Sequence, residues 1–304
     1  MTATLNFRLK SQEDDDPWLI EQNNFAIIND FLQPASHMSL TEAAFQINEL
    51  TPIKREAWGE EDVEEPESYL REIWVFFTII CKQIPYQHPS QEKLVSLIRE
   101  LTLLPSEEFN GWETAKARIW ADLPFIGVCW WDEWDGTSDS CAFDPTEQGI
   151  NFFALSARLL QSGFTGLPNW LTHSTTERWI SFAIIALRYA FEERLSHEMY
   201  RTREWETQDY QICAAAQWIE HSREIIFQKA ELEFLTREPE EPTKTADLPL
   251  YKWEGIVSRE LWDYWEAGFR AFGGEKAEGI SEETACVCRK AALHMAELSL
   301  TRDS

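Results

Sequence analysis

The sequence predicts an all-α protein, a single multi-helix bundle of roughly ten helices, and three observations carry that reading. Apolar residues recur at spacings of three and four along most of the 304 residues, which marks one buried face per helix. Pro and Gly cluster between those periodic stretches, where helices stop. No strand-like alternation of apolar and polar residues persists, and no internal repeat of fixed period is visible.

Taken in order, Asp16-Pro17 opens a helix carrying Trp18, Leu19, Phe25, Ile27, Ile28 and Phe31, which ends before Pro34. Ser39 or Thr41 begins a second with Ala44, Phe45, Ile47 and Leu50. The two read as a helical hairpin followed by an acidic connector over 61–67, so residues 1–64 are predicted as an N-terminal hairpin and 65–304 as the main helical domain. Residues 69–84 form an apolar helix stopped by Pro85, and Pro89-Ser90 starts a shorter one with Leu94, Leu97, Ile98 and Leu101 on one face. From Gly111 to Trp134 the pattern reads as a helix, a bend at Leu123-Pro124, and a second helix, because the residue before Pro is biased away from helical geometry.

Residues 136–144 are a predicted loop, and 145–160 a helix with Ile150, Phe153, Leu155 and Leu159, broken over 163–168. Ser174 and Glu177 have capping-box spacing and start a helix over 179–193 that is apolar nearly all round and therefore central. A long helix over 207–234 places Ile212, Ala215, Ala216, Ile219 and Ile226 together. Residues 236–252 combine Pro with charge and read as a linker. The helices beyond it, 257–272 and 281–300, are too little for an independent core and are predicted to dock on the bundle.

Charge and cysteine usage exclude several function classes. Lys and Arg total 27 against 53 Asp and Glu, a net charge of −26. Such a surface repels phosphate, so stable nucleic-acid binding is not expected. The first sixteen residues lack the apolar core of a signal peptide, and the longest nearly apolar run, 179–191, is too short to span a bilayer. A cytoplasmic protein without membrane contact is the expectation. None of the six Cys has CxxC spacing, which fits free thiols in a reducing compartment. None of the six His falls in a metal-ligand pattern, so no metal and no cofactor are expected. Nucleophile elbows, P-loops and dinucleotide-binding glycine patterns do not occur.

The richest stretch is WADLPFIGVCWWDEWDG, residues 120–136, where three of fifteen Trp fall within five residues beside three acids. On a helix, Trp131 and Trp134 lie three apart on one face, and Trp131 and Asp135 four apart. Two readings stand: a pocket in which Trp130, Trp131 and Trp134 bind substrate while Asp132, Glu133 and Asp135 supply countercharge or catalysis, or Trp packing in a core with the acids in solvent. Cys129 and Cys141 flank the cluster as small hydrophobes. The acids suggest the paired-carboxylate magnesium motif of helical terpene synthases, but with the wrong spacing.

The order of the segments LREIWVFFTIICKQIPYQHPSQEKLVSLIREL, WETAKARIWADLPFIGVCWWDEWD, INFFALSARLLQSGF, FAIIALRYAFEE and AAAQWIEHSREIIF resembles the fungal domain of unknown function 3632, over roughly residues 65–300. Members of that family include a protein of an oxopyrrolidine biosynthesis cluster. The resemblance implies an all-helical cytoplasmic fungal protein, in some cases encoded among secondary-metabolite genes, that acts on or binds a small-molecule pathway intermediate. It brings no catalytic motif. A weaker similarity is to fungal aminoacyl-tRNA-dependent cyclodipeptide synthases, whose DDxxE motif this chain lacks. The remaining alternative is a non-enzymatic acidic helical module that binds a basic protein partner.

Overall fold

The computed structural model describes residues 3–9, 18–55, 64–105, 107–110, 116–135, 145–163, 175–192, 207–236, 258–274 and 280–302; the side chains of Asp135, Pro145, 175–178, 231–236 and 301–302 lie outside the description. Ten α-helices and one two-stranded hairpin make up the regular structure of these residues. The all-helical expectation holds. The chain divides into two compact units, Met1–Leu155 with Thr165–Thr175, and Ser156–Phe164 with Thr176–Ser304.

In the first unit, α1 (Leu19–Leu32) and α2 (Leu40–Glu49) pack on each other and on α4 (Ser90–Leu103), while α3 (Pro66–Lys82) packs on α5 (Ile126–Asp135). Of the two N-cap candidates for α2, Ser39 is the cap: its Oγ accepts the Glu42 N–H at 3.1 Å and so satisfies one amide that the helix leaves unpaired. α3 begins with Pro66 in its first turn and buries Tyr69, Leu70, Ile73, Trp74 and Phe77. Its C-terminal carbonyls are met from elsewhere in the unit. Asn151 on α6 (Pro145–Gln161) donates to the Lys82 carbonyl at 2.8 Å, and Gln91 on α4 donates to the Cys81 carbonyl at 3.4 Å and to that of Ile84, just past the helix, at 2.8 Å. α6 runs from the first unit into the second.

The helix expected from Gly111 is corrected. In its place β1 (Glu108–Asn110) and β2 (Lys116–Arg118) pair antiparallel, with Phe109 opposite Ala117. Each strand is three residues long, too short for a period of two to show, and only Phe109 and Ala117 face inward. The bend at Leu123-Pro124 is present and strained: Leu123 and Phe125 have φ of 46° and 67°, the left-handed region that costs a non-Gly residue about 1–3 kcal/mol. Burial of both side chains and a 2.7 Å hydrogen bond from Trp74 Nε1 to the Pro124 carbonyl hold it.

In the second unit, α7 (Thr175–Phe191) precedes α8 (Gln208–Thr236), α9 (Arg259–Phe272) and α10 (Glu282–Arg302), and the last three pack mutually. α8 is kinked at Ser222, where φ is −141° and ψ 20°. The Ser222 hydroxyl donates to the Trp218 carbonyl at 3.0 Å, a back-bond that bends helices. Ser258 caps α9 through the Leu261 N–H, and Ser281 caps α10 through the Thr284 N–H.

The acidic connector at 61–63, the loop 136–144, the capping residues Ser174 and Glu177 and the linker 237–252 lie outside the described residues. Among the described residues no helix is long and apolar enough to cross a membrane.

Candidate functional site

α5 carries the predicted site, and its own periodicity splits that site in two. Ile126, Cys129, Trp130 and Glu133 are buried; their spacing of three, four and seven is the inward stripe of an amphipathic helix. Trp131 and Asp132 are exposed and Trp134 is half-buried. Asp132 and Glu133 therefore stand on different faces and are not brought together. The side chain of Asp135 lies outside the described residues.

The inward face puts a carboxylate where the stripe calls for an apolar side chain. Glu133 is compensated by Lys82, the last residue of α3, whose Nζ makes a close ion pair with Oε1. The side chains are only 11% and 2% exposed, for Lys82 and Glu133. Thr78, one turn before Lys82, donates its hydroxyl proton to the Val75 carbonyl at 2.6 Å, and its oxygen lies 3.5 Å from Glu133 Oε2. The wall around the pair is aromatic: Trp130 stacks on Phe152 with centroids 5.8 Å apart, and Lys82 Nζ lies 5.8 Å from the same Phe152 ring. A buried charge is tolerated only when paired, so the unit holds Glu133 as a carboxylate bound to a cation.

Lys82 and Thr78 went unmarked in the sequence. Their signal was two polar residues four apart inside the otherwise apolar WVFFTIICK. Cys129 is buried on this face, and burial pushes its thiol up to about 12. It is no thiolate nucleophile at neutral pH. Cys141 lies outside the described residues.

The outward face has different chemistry. The Trp131 and Trp134 rings meet with centroids 5.0 Å apart and a 57° tilt, Trp131 keeps 46% of its surface exposed, and Asp132, the next residue, is exposed about a quarter-turn further around the helix. Indole faces attract cations, and a neighbouring carboxylate adds to that field. Among the described residues no group of His, Cys, Asp and Glu can hold a metal ion. A cleft of about 340 Å³ in the second unit lies between α9 and α10, bordered by Arg270, Gly273, Arg289 and Leu293. Its arginines are engaged by Glu266 and Glu282.

A family model described as a protein of unknown function (DUF3632) matches residues 74–269. No curated protein and no solved structure matches the chain. The matched stretch begins at Trp74 in α3, takes in all of α5 and ends at Phe269 in α9. With more than half of its length matched, the chain belongs to the DUF3632 family of proteins of unknown function.

Proposed function

We propose that the protein binds a small cationic ligand, an amine- or guanidine-bearing pathway intermediate, on the outward Trp131–Trp134 face of α5. The wider setting of the proposal is a fungal secondary-metabolite pathway in the cytoplasm, as the family resemblance implies. One observation supports the ligand class: a tryptophan pair with centroids 5.0 Å apart is left partly exposed, with an exposed aspartate next to Trp131 in the chain. Each exposed indole contributes about 0.5–1 kcal/mol to a bound cation, so a ligand on both rings gains from each, and the charge of Asp132, about a quarter-turn around the helix, adds a longer-range attraction.

The test is calorimetric titration with Nα-acetylarginine ethyl ester and with the neutral isostere Nα-acetylcitrulline ethyl ester. The cation should bind saturably and the neutral compound at least tenfold more weakly, with Trp131→Ala and Asp132→Asn each weakening the cation. Equal binding of the two esters, or unchanged binding in Trp131→Ala, would remove the reading. Metabolite profiling after gene deletion, with rescue by wild type but not by the Trp131→Ala, Asp132→Ala double variant, tests the pathway role.

A further inference from the structure

Residues 3–9 lie on the first unit in an arrangement that reads main chain rather than side chain. Their burial alternates, with Leu5, Phe7 and Leu9 inward and Thr4, Asn6 and Arg8 outward, the period of an extended strand. Among the described residues no strand pairs with them. Side chains at helix ends take that place. Gln33, the C-cap of α1, accepts the Leu5 N–H and donates to the Leu5 carbonyl, both at 3.1 Å. Gln83, the C-cap of α3, does the same for Arg8, both at 2.8 Å.

His88 completes the grip. Its Nδ1 accepts the Ser90 N–H at 3.2 Å, which leaves Nε2 as the donor to the Ala3 carbonyl at 3.0 Å. A primary amide offers one acceptor and two donors, so each glutamine stands in for the backbone of a neighbouring strand. Residues 5 and 8 differ by an odd number, and in an extended chain their backbone groups face opposite edges. The segment is clamped from both sides.

We propose that this clamp is a peptide-docking groove, filled in cis by residues 3–9, and that its partner in trans is a basic, extended segment of another protein with apolar residues at three alternate positions. Main-chain recognition by glutamine tolerates sequence changes, while the positions taken by Leu5, Phe7 and Leu9 demand apolar side chains. Charge sets the sign of the partner. Residues 1–10 carry Arg8 and Lys10 and no acid, in a chain of net charge −26. The same charge opposes a second copy of the chain as the occupant. The cis segment is tethered at an effective concentration on the order of millimolar, so it masks the groove against weak partners.

The experiment uses a fluorescein-labelled peptide of sequence TATLNFRLK. A chain lacking residues 1–9 should bind it saturably by fluorescence anisotropy, at least tenfold tighter than the intact chain does. Gln33→Ala with Gln83→Ala should weaken binding at least tenfold, and so should a peptide with Asp at the three apolar positions. A folded truncated chain that does not bind overturns the proposal. Equal binding of a peptide with Glu at both basic positions overturns the assignment of a basic partner. If truncation prevents folding, a protease site placed within residues 10–17 of the intact chain is cut after folding, and native mass spectrometry follows exchange of the retained fragment for labelled peptide. No exchange over a day overturns the proposal. A dimer of the intact chain that Gln33→Ala and Gln83→Ala dissolve overturns it in favour of exchange between copies.

Discussion

Lys82 and Glu133 meet inside the first unit as a buried ion pair, joining the last residue of α3 to the inward stripe of α5. The desolvation cost of such a pair rivals its attraction. The pair shares its register with the aromatic contact: a slip of α5 that moved Trp130 off Phe152 would also carry Glu133 away from Lys82. Replacing Glu133→Gln alone leaves a buried ammonium without its counterion and should cost about 3–5 kcal/mol. The double change Lys82→Met with Glu133→Leu should recover most of that in urea unfolding. A double variant as unstable as the single one would show that the ion pair is not the cause.

Gly268 on α9 should resist replacement by Ala. A Cβ there would sit 2.5 Å from Cδ1 of Phe191, whose ring packs edge-on against Phe269 with centroids 4.5 Å apart. Gly→Ala inside a helix ordinarily stabilises by about 1 kcal/mol, whereas overpacking costs about 1–3 kcal/mol. The expected sign of Gly268→Ala is destabilising, with partial rescue by Phe191→Leu. A raised thermal midpoint for Gly268→Ala would contradict the packing described.

Acid should loosen the second unit through His221. Burial first, and then the nearby Arg158 charge, bring its pKa from the ordinary 6.5 down to about 3. The unfolded chain takes up this proton near pH 6.5 and the folded chain does not until about pH 3, so stability is fully present above 6.5 and declines as pH falls through that window. Glu220 acts in the same direction at lower pH: burial alone would raise its pKa, but the hydrogen bond and charge of Lys290 bring it below the ordinary value. The urea midpoint should fall between pH 7 and pH 4.5 in wild type and fall less in His221→Gln. Parallel pH dependences would exclude His221 as the source.

Thiol chemistry should separate the cysteines by burial. Cys286 is exposed, whereas Cys81, Cys129 and Cys288 are buried, and burial pushes the Cys129 and Cys288 thiols up to about 12. A disulfide reagent at pH 8 should lose a fast phase in Cys286→Ser and keep its rates in Cys129→Ser and Cys288→Ser. A fast phase carried by Cys129 would mean that α5 opens readily.

Much of the fold is legible in the sequence because helix signals are local. Ser39 caps α2, and Pro34 and Pro85 follow the last residues of α1 and α3, Leu32 and Lys82, within three positions. The hairpin at Glu108–Asn110 and Lys116–Arg118 was not read, although Asn110-Gly111 is a turn dipeptide, because a single inward residue per strand shows no period. In segment 3–9 only Leu5, Phe7 and Leu9 alternate, too brief a run to count as a persistent strand pattern, and its partners are glutamines 28 and 75 residues away, which no local pattern announces.

At the candidate site the sequence by itself determined that Trp and acid share one helix, since residue spacing and the absence of Pro between Ile126 and Asp135 depend on the chain alone. Only the tertiary structure decided which of them face inward. Helical periodicity leaves the phase of the buried stripe open until a neighbour supplies a partner, and here Lys82 at the end of α3 draws Glu133 in and leaves Trp131 and Asp132 in solvent.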